Sequence, residues 1–174
     1  MAKRKATELA DPLNESIAAA AGLSRRAAEE ISDALRRLLA DVFALYFKTK
    51  NFHWHMTGNH FRDYHLLLDE QGQQIFAMTD AIAERARKIG GTTLHSIGDV
   101  TRHQRLEDNN EDGVPPTAML SELCADNQHL ARSLRSTHEI CGKHTDVATA
   151  SLIENWLDET ERRTWCLSET VHHL

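Results

Sequence analysis

The sequence predicts an all-α protein, a bundle of four long helices with a long crossover between the second and the third. Three observations carry that reading. Only three Pro and eight Gly occur among 174 residues, which favours long helices over a turn-rich β fold. Apolar residues recur at helical spacing along four long segments. With 41% hydrophobic residues, a chain of this length buries one respectable core, so a single domain is expected.

Residues 1–23 read as a partly basic N-terminal arm. Lys3, Arg4 and Lys5 precede the small-residue run Ala18 to Ala21, which suits a short helix. The bundle takes residues 24–174. Ser24 is placed as the N-cap of the first long helix, where Ile31, Leu35, Leu38, Val42 and Leu45 recur at helical spacing toward His53. Gly58 breaks the pattern. The second helix runs from about Asn59 to Ile89, and Gly90-Gly91 stops it. From Gly90 to Pro116 the chain is turn-rich and acidic, with a short helical turn expected around Leu94 to Val100. A connection this long usually crosses the end of a bundle or does something specific. Thr117 opens the third helix, whose apolar face is Leu120, Leu123, Leu130 and Leu134, and Gly142 ends it. The fourth runs from about Asp146 to Val171 and turns Leu152, Ile153, Trp156 and Leu157 inward. No internal repeat or low-complexity segment occurs.

The second helix holds the most informative residues. On a helical wheel, with His65 at zero, Asp69 falls near 40°, Asp80 near 60° and Glu84 near 100°, so all four share one face. His53 comes from the end of the preceding helix. Yet His65 and Glu84 stand roughly 28 Å apart along the axis, whereas a metal needs its ligand atoms about 2 Å away. One chain cannot close such a site alone. Two copies packed antiparallel about a twofold axis near Gln74 would bring His65 and Asp69 of one chain to Asp80 and Glu84 of the other, making two equivalent sites. The plain alternative is a solvated amphipathic helix on which these groups happen to align. Against it, Phe61, Leu68, Ile75 and Ile82 occupy a core-facing stripe beside the polar set. Carboxylates and imidazoles beside apolar surface are costly unless paired or ligated.

His53-Trp54-x-Met56-x-Gly58, His65-x-x-x-Asp69 and Asp80-x-x-x-Glu84-Arg85 resemble the signatures of the Dps family, the ferritin-like mini-ferritins of starved or oxidatively stressed bacteria. The resemblance runs from Ser24 to the C-terminus. It implies a ferritin-like bundle assembling into a hollow dodecameric shell that holds an iron mineral. It also implies a di-iron centre between subunits, with His53, His65 and Asp69 from one and Asp80 and Glu84 from its twofold mate. For Trp54, beside His53, it adds a role in absorbing oxidising equivalents, where position alone fits a core residue. Tyr64 and Thr79 stand where aliphatic residues are usual in the family, which bears on local packing and not on ligation.

Imidazole with carboxylates and no thiolate suits iron, manganese or zinc, and zinc is an alternative occupant at rest. A bridging carboxylate such as Glu84 could hold two ions about 3.5–4 Å apart, a gap that fits dioxygen or hydrogen peroxide. The expected function is ferroxidase and iron storage, with peroxide as the preferred oxidant and protection of DNA from oxidative damage as the result. Two other classes stand beside it: a DNA-binding nucleoid protein acting through the arm, and a metal-stabilised helical protein without turnover. The formal charge of −6 argues against a broadly basic DNA surface, which leaves Lys3, Arg4 and Lys5 to act through many arms at once.

The remaining groups have plainer readings. Cys124, Cys141 and Cys166 are odd in number and widely spaced, which points to a reducing compartment and small core residues. No apolar run reaches the ~18 residues of a membrane span, and MAKRK precedes no apolar signal segment, so a cytoplasmic protein is expected, nucleoid-associated if the arm binds DNA. His55 and His60 lie off the register of the key pair. Glu169-x-x-His172 is a lone motif, whereas an in-bundle di-iron site needs two. Asp146 is a candidate for a threefold pore, weighed against the ordinary role of a helix N-terminal acid.

Overall fold

The computed structural model describes residues 12–172, so Lys3, Arg4 and Lys5 lie outside the described residues. Among the described residues six helices follow one another: α1 Pro12–Ala20, α2 Arg25–His55, α3 Phe61–Lys88, α4 Ile97–His103, α5 Pro116–Lys143 and α6 Val147–Val171. Short turns join α2 to α3 and α5 to α6, making two antiparallel pairs. Contact between α2 and α5 joins the pairs, while α3 and α6 barely touch. This is the four-helix bundle with a long crossover that the periodicity predicts.

Ser24 caps α2 as expected: its backbone is extended and its hydroxyl accepts the Ala27 N–H at 3.2 Å. Ile31, Leu35, Leu38, Val42 and Leu45 are fully buried, and across the interface so are Leu68, Ile75 and Ile82 of α3. Phe61 departs from that stripe. It is the first residue of α3, beyond the end of α2, and with no helix opposite it stays 44% exposed.

Gly90-Gly91 ends α3 as expected, with the Gly91 N–H donating to the Ala86 carbonyl at 2.9 Å. The pair also admits neighbours that no larger residue would. A Cβ on Gly90, whose φ is +83°, would stand 2.4 Å from the Asn14 carbonyl oxygen, and one on Gly91 would stand 2.2 Å from Ser32 Cβ. The backbone of α1 therefore docks against the end of α3.

In the crossover the short helix falls three residues later than the sequence suggests, because Ser96 caps it by accepting the Asp99 N–H. Asp41, fully buried on α2, anchors the segment that follows. It accepts the Arg105 backbone N–H at 2.7 Å and the guanidinium at 2.6 and 3.0 Å. Pro116 at the first turn starts α5, which runs one residue past Gly142. Of the cysteines, only Cys141 is fully buried, and its thiol is pushed up to about 12 by burial and the nearby Asp146. Cys124 and Cys166 are half-buried.

Candidate metal centre

Toward its C-terminal end α2 presents His53, and across the turn the first three turns of α3 present His65 and Asp69. The two imidazoles stack, with ring centres 3.7 Å apart and planes 20° from parallel. Nδ1 of His53 lies 2.9 Å from the His65 carbonyl oxygen, and Nδ1 of His65 lies 2.9 Å from the His53 carbonyl oxygen. A carbonyl only accepts, so each Nδ1 must carry the proton and donate. In the neutral imidazole this leaves each Nε2 with its lone pair, the tautomer a metal ligand requires.

Asp69 stands beside the pair, with Oδ1 4.0 Å from His53 Nε2. Lys50 Nζ reaches the same oxygen at 2.8 Å, and Gln73 Nε2 donates to Oδ2 at 3.0 Å. The Lys50 ammonium holds the Asp69 carboxyl below its ordinary range. Lys50 was not singled out by sequence, although it lies one turn before His53 on the same helix.

Asp80 and Glu84 are not part of this cluster. They lie on α3 with Asp80 about 17 Å beyond Asp69 by helical rise. Both are exposed, and Glu84 pairs with Lys88 at 2.9 Å. Among the described residues, no three His, Cys, Asp or Glu side chains of one chain converge as a metal-holding group.

Arg85, next to Glu84, ties α3 to the start of α6. Its Nη2 donates to Asp146 Oδ1 at 2.7 Å and its Nε to the Thr149 hydroxyl at 2.6 Å. Asp146 also accepts the Thr149 N–H as the N-cap of α6 and is buried. It is a structural anchor, and the pore reading fails on that burial.

Trp54 is 57% exposed and meets Phe47 edge-on, ring centres 6.1 Å apart, so the core reading does not hold for it. With Phe47, Phe61, Leu66 and Phe76 it belongs to an exposed apolar set on α2 and α3. His55 and His60 are exposed, as are Glu169 and His172 at the end of α6. Inside the bundle stands Arg163, 1% exposed, bonded to Asn127 Oδ1 and the Thr160 hydroxyl. Burial lowers its guanidinium to about 10.

The ferritin-like domain model matches residues 32–174. A low temperature-induced protein of Nostoc sp. is 31% identical over 151 residues, 86% of this chain and 84% of that one. DNA protection during starvation protein 1 of Deinococcus radiodurans is 28% identical over 145 residues, 83% and 70% of the two chains. Among solved structures, an archaeal Dps homologue from Halobacterium salinarum superposes with a TM-score of 0.82 at 28% identity, over 86% of this chain and 83% of that one.

Proposed function

The chain belongs to the ferritin-like domain family and within it to the Dps group, and from that premise we propose that it is a ferroxidase that stores iron and thereby protects DNA. The observation that carries the reading is the reciprocal pair His53 and His65. Their Nδ1 protons are committed to backbone carbonyls, and both Nε2 atoms are free to ligate beside Asp69. Fixing the far nitrogen of a ligating histidine sets its tautomer and orientation, an arrangement with little purpose on a solvated surface.

In this reading Asp80 and Glu84 of a twofold mate complete the centre. Their exposure, together with the exposed apolar set around Trp54 and Phe76, supports a second chain against this face. Iron is the substrate. One hydrogen peroxide takes one electron from each of two Fe(II); its O–O bond breaks, and two protons complete two waters. Oxidising two irons together avoids the one-electron step that releases hydroxyl radical. The Fe(III) then hydrolyses to mineral inside a shell of twelve chains. In this reading Trp54, exposed and adjacent to His53, absorbs stray oxidising equivalents.

Stopped-flow absorbance of Fe(II) with peroxide, on assembled Glu84→Ala and wild-type protein, tests the proposal. A large loss of rate is expected, because a bridging ligand positions both ions. A wild-type rate would leave a structural helical protein as the better reading.

A further inference from the structure

Lys50 makes the shortest contact to Asp69. Its stem crosses α3 at Gly72, where an added Cβ would stand 3.2 Å from Lys50 Cδ and 3.9 Å from Thr49 Cγ2. Glycine is unfavourable inside a helix, and here its missing side chain leaves a lane for the lysine. The Lys50 side chain is 17% exposed, far less than a free surface lysine.

At the end of that lane Nζ sits 2.8 Å from Asp69 Oδ1, the oxygen that also lies 4.0 Å from His53 Nε2. The second carboxylate oxygen is taken by Gln73 at 3.0 Å. A metal shared by His53 and Asp69 would stand about 2 Å from Oδ1, the oxygen that Nζ already holds at 2.8 Å, and so within about 5 Å of the ammonium. Ammonium and metal ion are both cations, and at such range each disfavours the other.

We infer that Lys50 is a resident competitor for the metal: a positioning residue that keeps Asp69 aimed at His53 and must swing off before that oxygen can ligate. This deepens the metal-centre reading and rests on it. The consequence is selectivity. Hard ions such as Mg²⁺ gain little from imidazole and do not offset the eviction of the ammonium. Ions of the iron, cobalt and zinc type gain from His53 and His65 and do.

The test titrates Co²⁺ alone into assembled full-length protein, read by visible absorption and calorimetry. Lys50→Met keeps a stem over Gly72 and removes the charge, so it should bind Co²⁺ about tenfold more tightly or better, as the loss of a like charge at such range implies. Lys50→Arg should retain the weaker wild-type affinity, and adding Asp69→Asn to Lys50→Met should abolish the gain. Lys50→Gln is read the same way, so that a failure of Lys50→Met to assemble does not decide the matter. Unchanged or weaker Co²⁺ binding in the charge-removing variant overturns the role of Lys50. Unchanged binding in His65→Ala would instead overturn the metal centre itself, whatever Lys50 does.

Discussion

His53 and His65 fix one another through the backbone: each Nδ1 donates to the other's carbonyl oxygen at 2.9 Å, with the rings stacked between α2 and α3. Replacing one ring leaves the other's hydrogen bond intact, because the acceptor is main chain. Each single His→Ala variant should therefore weaken Co²⁺ binding on the order of tenfold or more but retain an ordered imidazole, and the double variant should lose the site. Calorimetric titration of the three variants reads this directly. Complete loss in both single variants would show that the rings are ordered only as a stack.

The exposed apolar set on α2 and α3 bears on assembly. Phe76 is half-exposed and packs on Tyr46 with ring centres 5.0 Å apart, close to Gln74, about which the proposed twofold would lie. A carboxylate buried there in an isologous contact would meet its own copy, and like charges at that range repel. Phe76→Glu should break the particle into smaller species. Light scattering should give about 240 kDa for twelve chains of 19.7 kDa in the wild type and much less in the variant. A stable wild-type monomer at micromolar concentration would sink the shared-site proposal.

The helices and the closeness of His53, His65 and Asp69 were legible because helical spacing and a short turn between α2 and α3 set them. Apolar residues at a 3.6 period give the buried faces, and a His and an Asp four apart share a helix side whatever packs around them. What escaped depends on pairs distant in sequence or on where a helix ends. Lys50 meets Asp69 only because Gly72, on the facing helix, leaves room for its stem. Asp146 reads as an exposed helix-start acid until Arg85, 61 residues earlier, is found against it. Phe61 and Trp54 fit an inward face by period or position, yet each lies near the α2–α3 turn, where no further helix covers them.

Asp41 offers a test of the crossover anchor. It is fully buried and takes three donors from Arg105, whose side chain remains 36% exposed. Asp41→Ala would strand the Arg105 N–H, while partial exposure lets water recover some of the guanidinium's bonds. A loss of about 2–3 kcal/mol is expected, below the range for fully buried pairs. Urea unfolding measures it, and Asp41→Asn, which keeps an acceptor, should fall between. A loss under about 0.5 kcal/mol, typical of plain surface changes, would remove the anchor from the account.

Glu30 carries a pH signature. Its carboxylate accepts Lys143 Nζ at 2.8 and 3.1 Å and pairs with His144 Nε2 at 2.8 Å, joining α2 to the end of α5. These partners hold it at about 2 against an ordinary 4.5. The unfolded chain takes up the proton first as pH falls. The contribution is therefore complete above about pH 4.5 and fades as pH drops toward about 2. Glu30→Gln should lower Tm at neutral pH, and its gap from wild type should close across that window in thermal melts followed by circular dichroism. A gap independent of pH would show that the ion pair is not what Glu30 contributes.

The arm sets the last expectation. Lys3, Arg4 and Lys5 are followed by Glu8 and Asp11, and the whole chain carries a formal charge of −6, so a single arm offers a weak phosphate contact. In an assembled particle many arms would act at once. DNA binding should therefore be weak, should depend on assembly, and should fall steeply between low and physiological salt as released counterions cease to drive it. Gel retention at two salt concentrations, with and without residues 1–10, provides the measurement. Binding that survives both high salt and the deletion would mean that DNA is held elsewhere, on a surface of the bundle itself.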